Sequence, residues 1–211
     1  MMRCIYYILL FSILLNQGFE INQDYGTLDI NTEIYDRPFL GGFNKPKVQW
    51  VDWDDDGDDD LFILDEDGFI KFYINDSILS DVQFNLIDTD FLDLYGISWF
   101  FIGDFDNNND WEIMTQDINN INQAVYYDIV NSDAIEIGTI FDILMFPIES
   151  DPLMVPTLID IDNDGDLDFF TGNMVGTLTY YENTGLSNGL PQLQFITNAW
   201  QNIYIVGGRR T

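Results

Sequence analysis

Asp52-Trp53-Asp54-Asp55-Asp56-Gly57-Asp58-Asp59-Asp60 decides the fold, because it returns as Asp160-Ile161-Asp162-Asn163-Asp164-Gly165-Asp166-Leu167-Asp168. A worn copy, Asp104-Phe105-Asp106-Asn107-Asn108-Asn109-Asp110-Trp111-Glu112, lies between them. In the two close copies carboxylates recur at positions 1, 3, 5 and 9, position 7 offers a backbone carbonyl, and Gly at position 6 allows a sharp turn. That pattern wraps oxygens around one hard cation. A solvated acidic turn would explain the acidity, but not the alternation, the glycine or the return of both. The expected ion is Ca2+; Mg2+ is disfavoured because it keeps its waters and demands tight octahedral geometry.

The expected ligands in the first loop are the side chains of Asp52, Asp54, Asp56 and Asp60 with the carbonyl of Asp58. The last loop repeats them as Asp160, Asp162, Asp164 and Asp168, with Asp166 at the carbonyl position. The middle loop offers Asp104, Asp106, Asn108, Asp110 and Glu112. There Asn108 replaces the third carboxylate, Asn109 the glycine and Glu112 the closing Asp, so a weaker site is expected. Asn coordinates through its amide oxygen and enters the left-handed region more readily than other non-glycine residues. An EF-hand is disfavoured because it needs Glu at position 12 between helices, whereas position 12 is Ile63 or Thr171 and both flanks look like strands.

Counting from the first Asp of each loop gives spacings of 52 and 56 residues, the period of stacked units. The register runs past the loops: Gly68 and Gly176, Tyr73 and Tyr181, and Asn75 and Asn183 hold equivalent places. Short segments rich in β-branched and aromatic residues flank each loop, at Val48 to Val51, Leu61 to Leu64, Phe69 to Ile74 and Thr177 to Tyr181. They read as strands, with the loop closing the first hairpin and a turn at Asp65-Glu66-Asp67-Gly68, or Asn173-Met174-Val175-Gly176, leading to the third. Gln83 to Ile87 and Gln194 to Thr197 supply a fourth. The fold class expected is all-β: four-stranded antiparallel propeller blades, about three of them plus the start of another, in an incomplete ring. The outermost strand of the first blade is expected around Leu28 to Phe39.

The pattern Asp160-Ile161-Asp162-Asn163-Asp164-Gly165-Asp166-Leu167-Asp168, a second strand, then Gly176-Thr177-Leu178-Thr179-Tyr180-Tyr181-Glu182-Asn183-Thr184-Gly185 resembles the FG-GAP or VCBS-type repeats of integrin-alpha-like β-propellers. The resemblance covers residues 28–211 and is strongest over Asp160 to Gly185. It implies a propeller, commonly seven-bladed, with calcium in the hairpin loop between the first two strands of each blade. It also implies a secreted or cell-surface role in adhesion and ligand binding. The same spacing would place a further loop at 212–216, beyond Thr211. The expectation is a fragment of a longer protein or, second, a chain that closes its ring by oligomerising.

With 37 acidic and 7 basic residues the formal charge is −30, which repels nucleic acid and anionic membranes. Three divalent ions would take it to −24. Met1-Met2-Arg3-Cys4, the apolar run Ile5 to Leu15 and the polar Asn16-Gln17-Gly18 form the layout of a secretory signal peptide over 1–19, leaving 20–211 as the repeat domain. Eleven residues fall short of the ~20 that a membrane-spanning helix needs. Beyond Cys4 the chain has no cysteine, so disulfides cannot brace it and metal is the expected staple.

The function expected is secreted, calcium-stapled adhesion or ligand binding, with an extracellular protein or glycan as partner. The alternative is a propeller belonging to a polysaccharide-acting enzyme. No catalytic residue is proposed: the chain has no His, its one cysteine lies in the leader, and metal ligation already accounts for the patterned carboxylates. Trp50, Trp53, Trp99, Trp111 and Trp200, with the pairs Tyr126-Tyr127 and Tyr180-Tyr181, could form a sugar platform, but packing between blades is favoured because they recur at strand positions. Trp53, set among ligands, is the one expected to point outward. Asn75-Asp76-Ser77 is a glycosylation sequon, relevant only if the source glycosylates exported proteins.

Overall fold

The alternation of apolar and polar residues either side of each acidic loop becomes strand pairing in the computed structural model, which describes residues 28–30, 33–35, 42–76, 83–151 and 155–205. The expected leader lies outside the described residues. Strands β1 (Leu28–Ile30) and β2 (Glu33–Tyr35) pair with each other as an antiparallel hairpin in a unit separate from the rest. Of the segment expected to supply the outer strand of the first blade, the described residues 28–30 and 33–35 pair with each other in a two-stranded sheet.

From Asn44 onward three sheets follow, each a meander of four antiparallel strands joined to their sequence neighbours. Blade 1 comprises β3 (Lys47–Val51), β4 (Asp60–Leu64), β5 (Ile70–Asn75) and β6 (Phe84–Asp88). Blade 2 comprises β7 (Phe100–Gly103), β8 (Glu112–Gln116), β9 (Ala124–Val130) and β10 (Asp133–Thr139). Blade 3 comprises β11 (Thr157–Ile159), β12 (Asp168–Gly172), β13 (Leu178–Ser187) and β14 (Leu190–Thr197). The architecture is all-β and propeller-like, and no closed barrel forms among the described residues. Blade 1's outer strand is β6, from within its own repeat.

The repeats agree in detail. Val51↔Asp60 closes the first hairpin of blade 1, as Gly103↔Glu112 and Ile159↔Asp168 close those of blades 2 and 3. The ladder between third and fourth strands slips at the same place, Phe72/Tyr73 and Tyr180/Tyr181. A 3-10 turn follows blade 1 at Phe91–Asp93 and blade 3 at Trp200–Asn202, each with a left-handed second residue, Leu92 and Gln201. Gly176 has φ +85°, and a Cβ there would lie 2.2 Å from the Ile205 carbonyl oxygen, so only glycine lets the chain pass.

Successive residues of a strand face opposite sides of its sheet, so each blade offers two apolar faces. Val51, Phe62 and Phe72 of blade 1 meet Phe100, Ile102 and Ile113 of blade 2 in one core. Phe105, Met114 and Tyr126 on the far side of blade 2 meet Leu158, Phe169 and Leu193 of blade 3 in a second. Of the aromatic residues expected to pack between blades, Trp99 is buried in the second core, whereas Phe170 stacks on Tyr180 with Trp200 edge-on within the third repeat, and Trp50 is 52% exposed with its ring 5.7 Å from Phe84 of its own blade. Trp53 overturns the expectation that it points outward. It lies edge-on to Phe62, Phe72 and Phe91, and stacks on Trp111 of the next blade at 6.2 Å with ring planes 17° apart.

Candidate metal centres

Each acidic loop folds on its own first carboxylate. Asp52 Oδ1 accepts the Asp56 N–H and Oδ2 the Gly57 N–H, both at 3.1 Å. Asp104 does the same for Asn108 and Asn109 at 3.0 Å, and Asp160 for Asp164 and Gly165 at 3.1 Å. The turn needs two left-handed residues. Position 4 is Asp55, Asn107 or Asn163, at φ 60°, 57° and 66°; position 6 is Gly57, Asn109 or Gly165, at 99°, 67° and 99°. Asn109 thus replaces glycine by settling in the ordinary left-handed well, which Asn enters at lower cost than most residues. The position 5 side chain then accepts the position 7 N–H: Asp56 from Asp58, Asn108 from Asp110, and Asp164 from Asp166.

This wrapping converges the carboxylates. One oxygen from each of Asp52, Asp54 and Asp56 lies within 4.8 Å of the others, and the same holds for Asp160, Asp162 and Asp164. In the middle loop the group is Asp104, Asp106 and Glu112. All the donors are oxygens, a set suited to a hard divalent cation. Asp54 and Asp162 are pushed above the usual carboxylate range, first by desolvation in the loop and then by the neighbouring carboxylates, Asp56 and Asp164 foremost. Such crowding favours a cation.

Position 9 behaves differently from the simple alternation. Asp60, Glu112 and Asp168 are each 1% exposed and sit beneath the loop rather than at its rim. Asp60 accepts the Trp53 N–H at 3.1 Å and the Asn75 N–H at 2.7 Å, tying the loop to the end of β5. Asp168 accepts the Ile161 N–H at 3.3 Å, the Asn183 N–H at 2.7 Å and the Tyr180 hydroxyl at 3.3 Å. Asn75 and Asn183 complete the clamp by donating their side-chain amides to the carbonyls of Asp59 and Leu167. Their matching register in the sequence was the signal for this role, and the Asn75 amide is already engaged in it.

Glu112 departs from the pair. Its Oε2 accepts the Phe105 N–H at 2.7 Å, but Oε1 is buried with no hydrogen-bond partner. Burial, more than any neighbour, pushes its carboxyl up to about 7, with the charges of Asp106 and Asp104 adding to the effect and the Phe105 N–H and the Tyr126 hydroxyl opposing it. A buried, unpartnered oxygen facing two further carboxylates fits a cation. The substitution expected to weaken this loop therefore brings its longer carboxylate among the converging oxygens.

No family model, curated protein or solved structure matches the chain.

The loops are not isolated. The Asn107 side-chain amide donates to Asp166 Oδ1 at 3.1 Å, joining the middle loop to the last. Between the first and middle loops lies a cleft of about 450 Å3, bordered by Asp52, Asp54, Asp104 and Asp110 together with the Trp53 and Trp111 pair.

Proposed function

We propose that the protein is a calcium-stapled propeller segment of the FG-GAP or VCBS type, exported from the cell and serving adhesion or extracellular ligand binding. The observation that carries this is the convergence of carboxylate oxygens in all three loops, from positions 1, 3 and 5 in the first and last and from positions 1, 3 and 9 in the middle one, with Asp60 and Asp168 anchoring the first and last loops to their blades. Calcium held by Asp52, Asp54 and Asp56, by Asp104, Asp106 and Glu112, and by Asp160, Asp162 and Asp164 would neutralise carboxylates that otherwise repel. It would also fix the rim on which neighbouring loops meet. A protein or glycan is the partner class that suits such a rim, because the charge of −30 disfavours polyanions.

The test is calcium titration of the chelator-treated full chain by calorimetry, with melting followed in parallel. Stoichiometric binding accompanied by a rise in Tm is expected, both weakened in an Asp52→Ala/Asp160→Ala variant. A folded protein that takes up no calcium and melts alike with and without it overturns the proposal. A screen on immobilised extracellular proteins and glycans, read in calcium and in chelator, addresses the binding role; capture indifferent to both additions counts against it.

A further inference from the structure

Blades 1 and 2 are followed by different connections. After β6 the chain makes the 3-10 turn at Phe91–Asp93 and buries Phe91, but after β10 it turns back on itself, with Phe141 bridged to Pro147. The Asp142 N–H donates to the Phe146 carbonyl at 2.7 Å and the Ile143 N–H to the Leu193 carbonyl of β14 at 3.0 Å, so this small hairpin is fixed to blade 3. Its tip is apolar and outward: Leu144 and Phe146 are 69% and 64% exposed.

Between the hairpin and the last two strands of blade 3 lies a cavity of about 490 Å3, within the range of small-molecule sites. Three aromatic rings border it: Phe146 from the hairpin, Tyr181 from β13 and Phe195 from β14, the last two edge-on at 5.6 Å. Two carboxylates, Asp142 and Glu149, border it as well, and Asp142 is only 6% exposed. Its Oδ1 accepts the Leu144 N–H at 2.9 Å and the Phe146 N–H at 2.8 Å, while its Oδ2 accepts nothing from the described residues. Burial raises the Tyr181 hydroxyl above its usual range, and the charges of Asp142 and Glu149 add to the effect, so both carboxylates act on that ring.

A buried carboxylate without a cation is costly, and none of the described residues supplies one here. Their basic side chains are Lys45, Lys47 and Lys71, all in the first repeat, with Lys45 held by Glu66 and Lys71 by Asp67. A free carboxylate oxygen calls for an N–H donor, and aromatic faces attract positive charge. A sugar hydroxyl would meet the oxygen without answering the charge; a quaternary ammonium would bring the charge without a donor.

We propose that this cavity binds a small organic amine, its ammonium group donating to Asp142 Oδ2 and its apolar body lying among Phe146, Tyr181 and Phe195, with Glu149 adding attraction. None of these residues is a proposed calcium ligand, so the site does not rest on the calcium reading.

Calorimetric titration of the full chain with phenylethylamine, in calcium and about 0.15 M salt, tests it, with phenylethanol as the neutral match. Saturable one-to-one binding of the amine is expected, about tenfold tighter than the alcohol or better. Asp142→Asn keeps the acceptor that holds the hairpin and should weaken the amine by about tenfold or more, the scale of one hydrogen bond to a charged group. Phe195→Ala leaves the hairpin untouched and should weaken it severalfold. Asp133→Asn removes an equal charge from the exposed start of β10 and should change nothing. Equal affinity for amine and alcohol, no uptake at millimolar amine, undiminished binding by folded Asp142→Asn or Phe195→Ala, or an equal loss in Asp133→Asn would each overturn the proposal. Uptake of a lysine-bearing peptide with the free amine refused would overturn it too, in favour of a protein partner.

Discussion

One methylene separates Glu112 from the aspartates at the same place in the other loops, and it leaves an oxygen without a partner. A Glu112→Gln substitution would keep the acceptor for the Phe105 N–H and turn an amide toward Asp104 and Asp106. In chelator the variant should be more stable than its parent by about 1–2 kcal/mol, because a buried unsatisfied carboxylate is replaced by a donor to charged acceptors. Its calcium response should shrink by one site; denaturant melts with and without calcium check both. The alternation of carboxylates, the glycine turn and the tolerance of Asn109 were legible in the sequence because each follows from local backbone geometry. The burial of position 9 was not. It depends on the Asn75 and Asn183 amides arriving from a strand fifteen residues away, and the matching register of those asparagines was visible without its meaning.

Strand β5 and the loop before β4 are held together by Asp60, so Asp60→Ala should cost about 2–3 kcal/mol by stripping the acceptor from two largely enclosed amides. Equilibrium unfolding in calcium measures it, and a loss below 0.5 kcal/mol, about the scale of an ordinary surface change, would mean the clamp is not structural. The turn before β13 should be as intolerant. Gly176→Ala combines a left-handed backbone with a collision against Ile205, and a loss of about 2 kcal/mol or more is expected by the same assay. Short strands beside each loop could be read directly from their β-branched and aromatic alternation, and observed boundaries such as Asp60–Leu64 and Ile70–Asn75 lie within a residue of it. The hairpin of β1 and β2 misled because alternation marks a strand without naming its neighbour. The orientation of Trp53 misled for a similar reason: its place between ligands says nothing of the Trp111 ring that a second blade brings to it.

Across the whole molecule, charge is the force that acts furthest. At −30 the protein without calcium should gain stability from added salt, and calcium should act at concentrations far too low for screening. Sites of extracellular strength, each contributing about 1–2 kcal/mol, would together raise Tm by roughly 6–20 °C; Mg2+ at equal concentration should give less than half of that rise. Scanning calorimetry in calcium, magnesium, chelator and chelator with sodium chloride separates these effects. Trp53 follows the first ligand of its loop and Trp111 precedes the last of the next, with parallel rings across the seam between two blades. Their near-ultraviolet transitions should couple at that separation, so the pair is an optical gauge already written into the chain: the exciton signal reports the width of one seam, and its decay on heating would time the parting of the first two blades apart from the loss of the strands themselves.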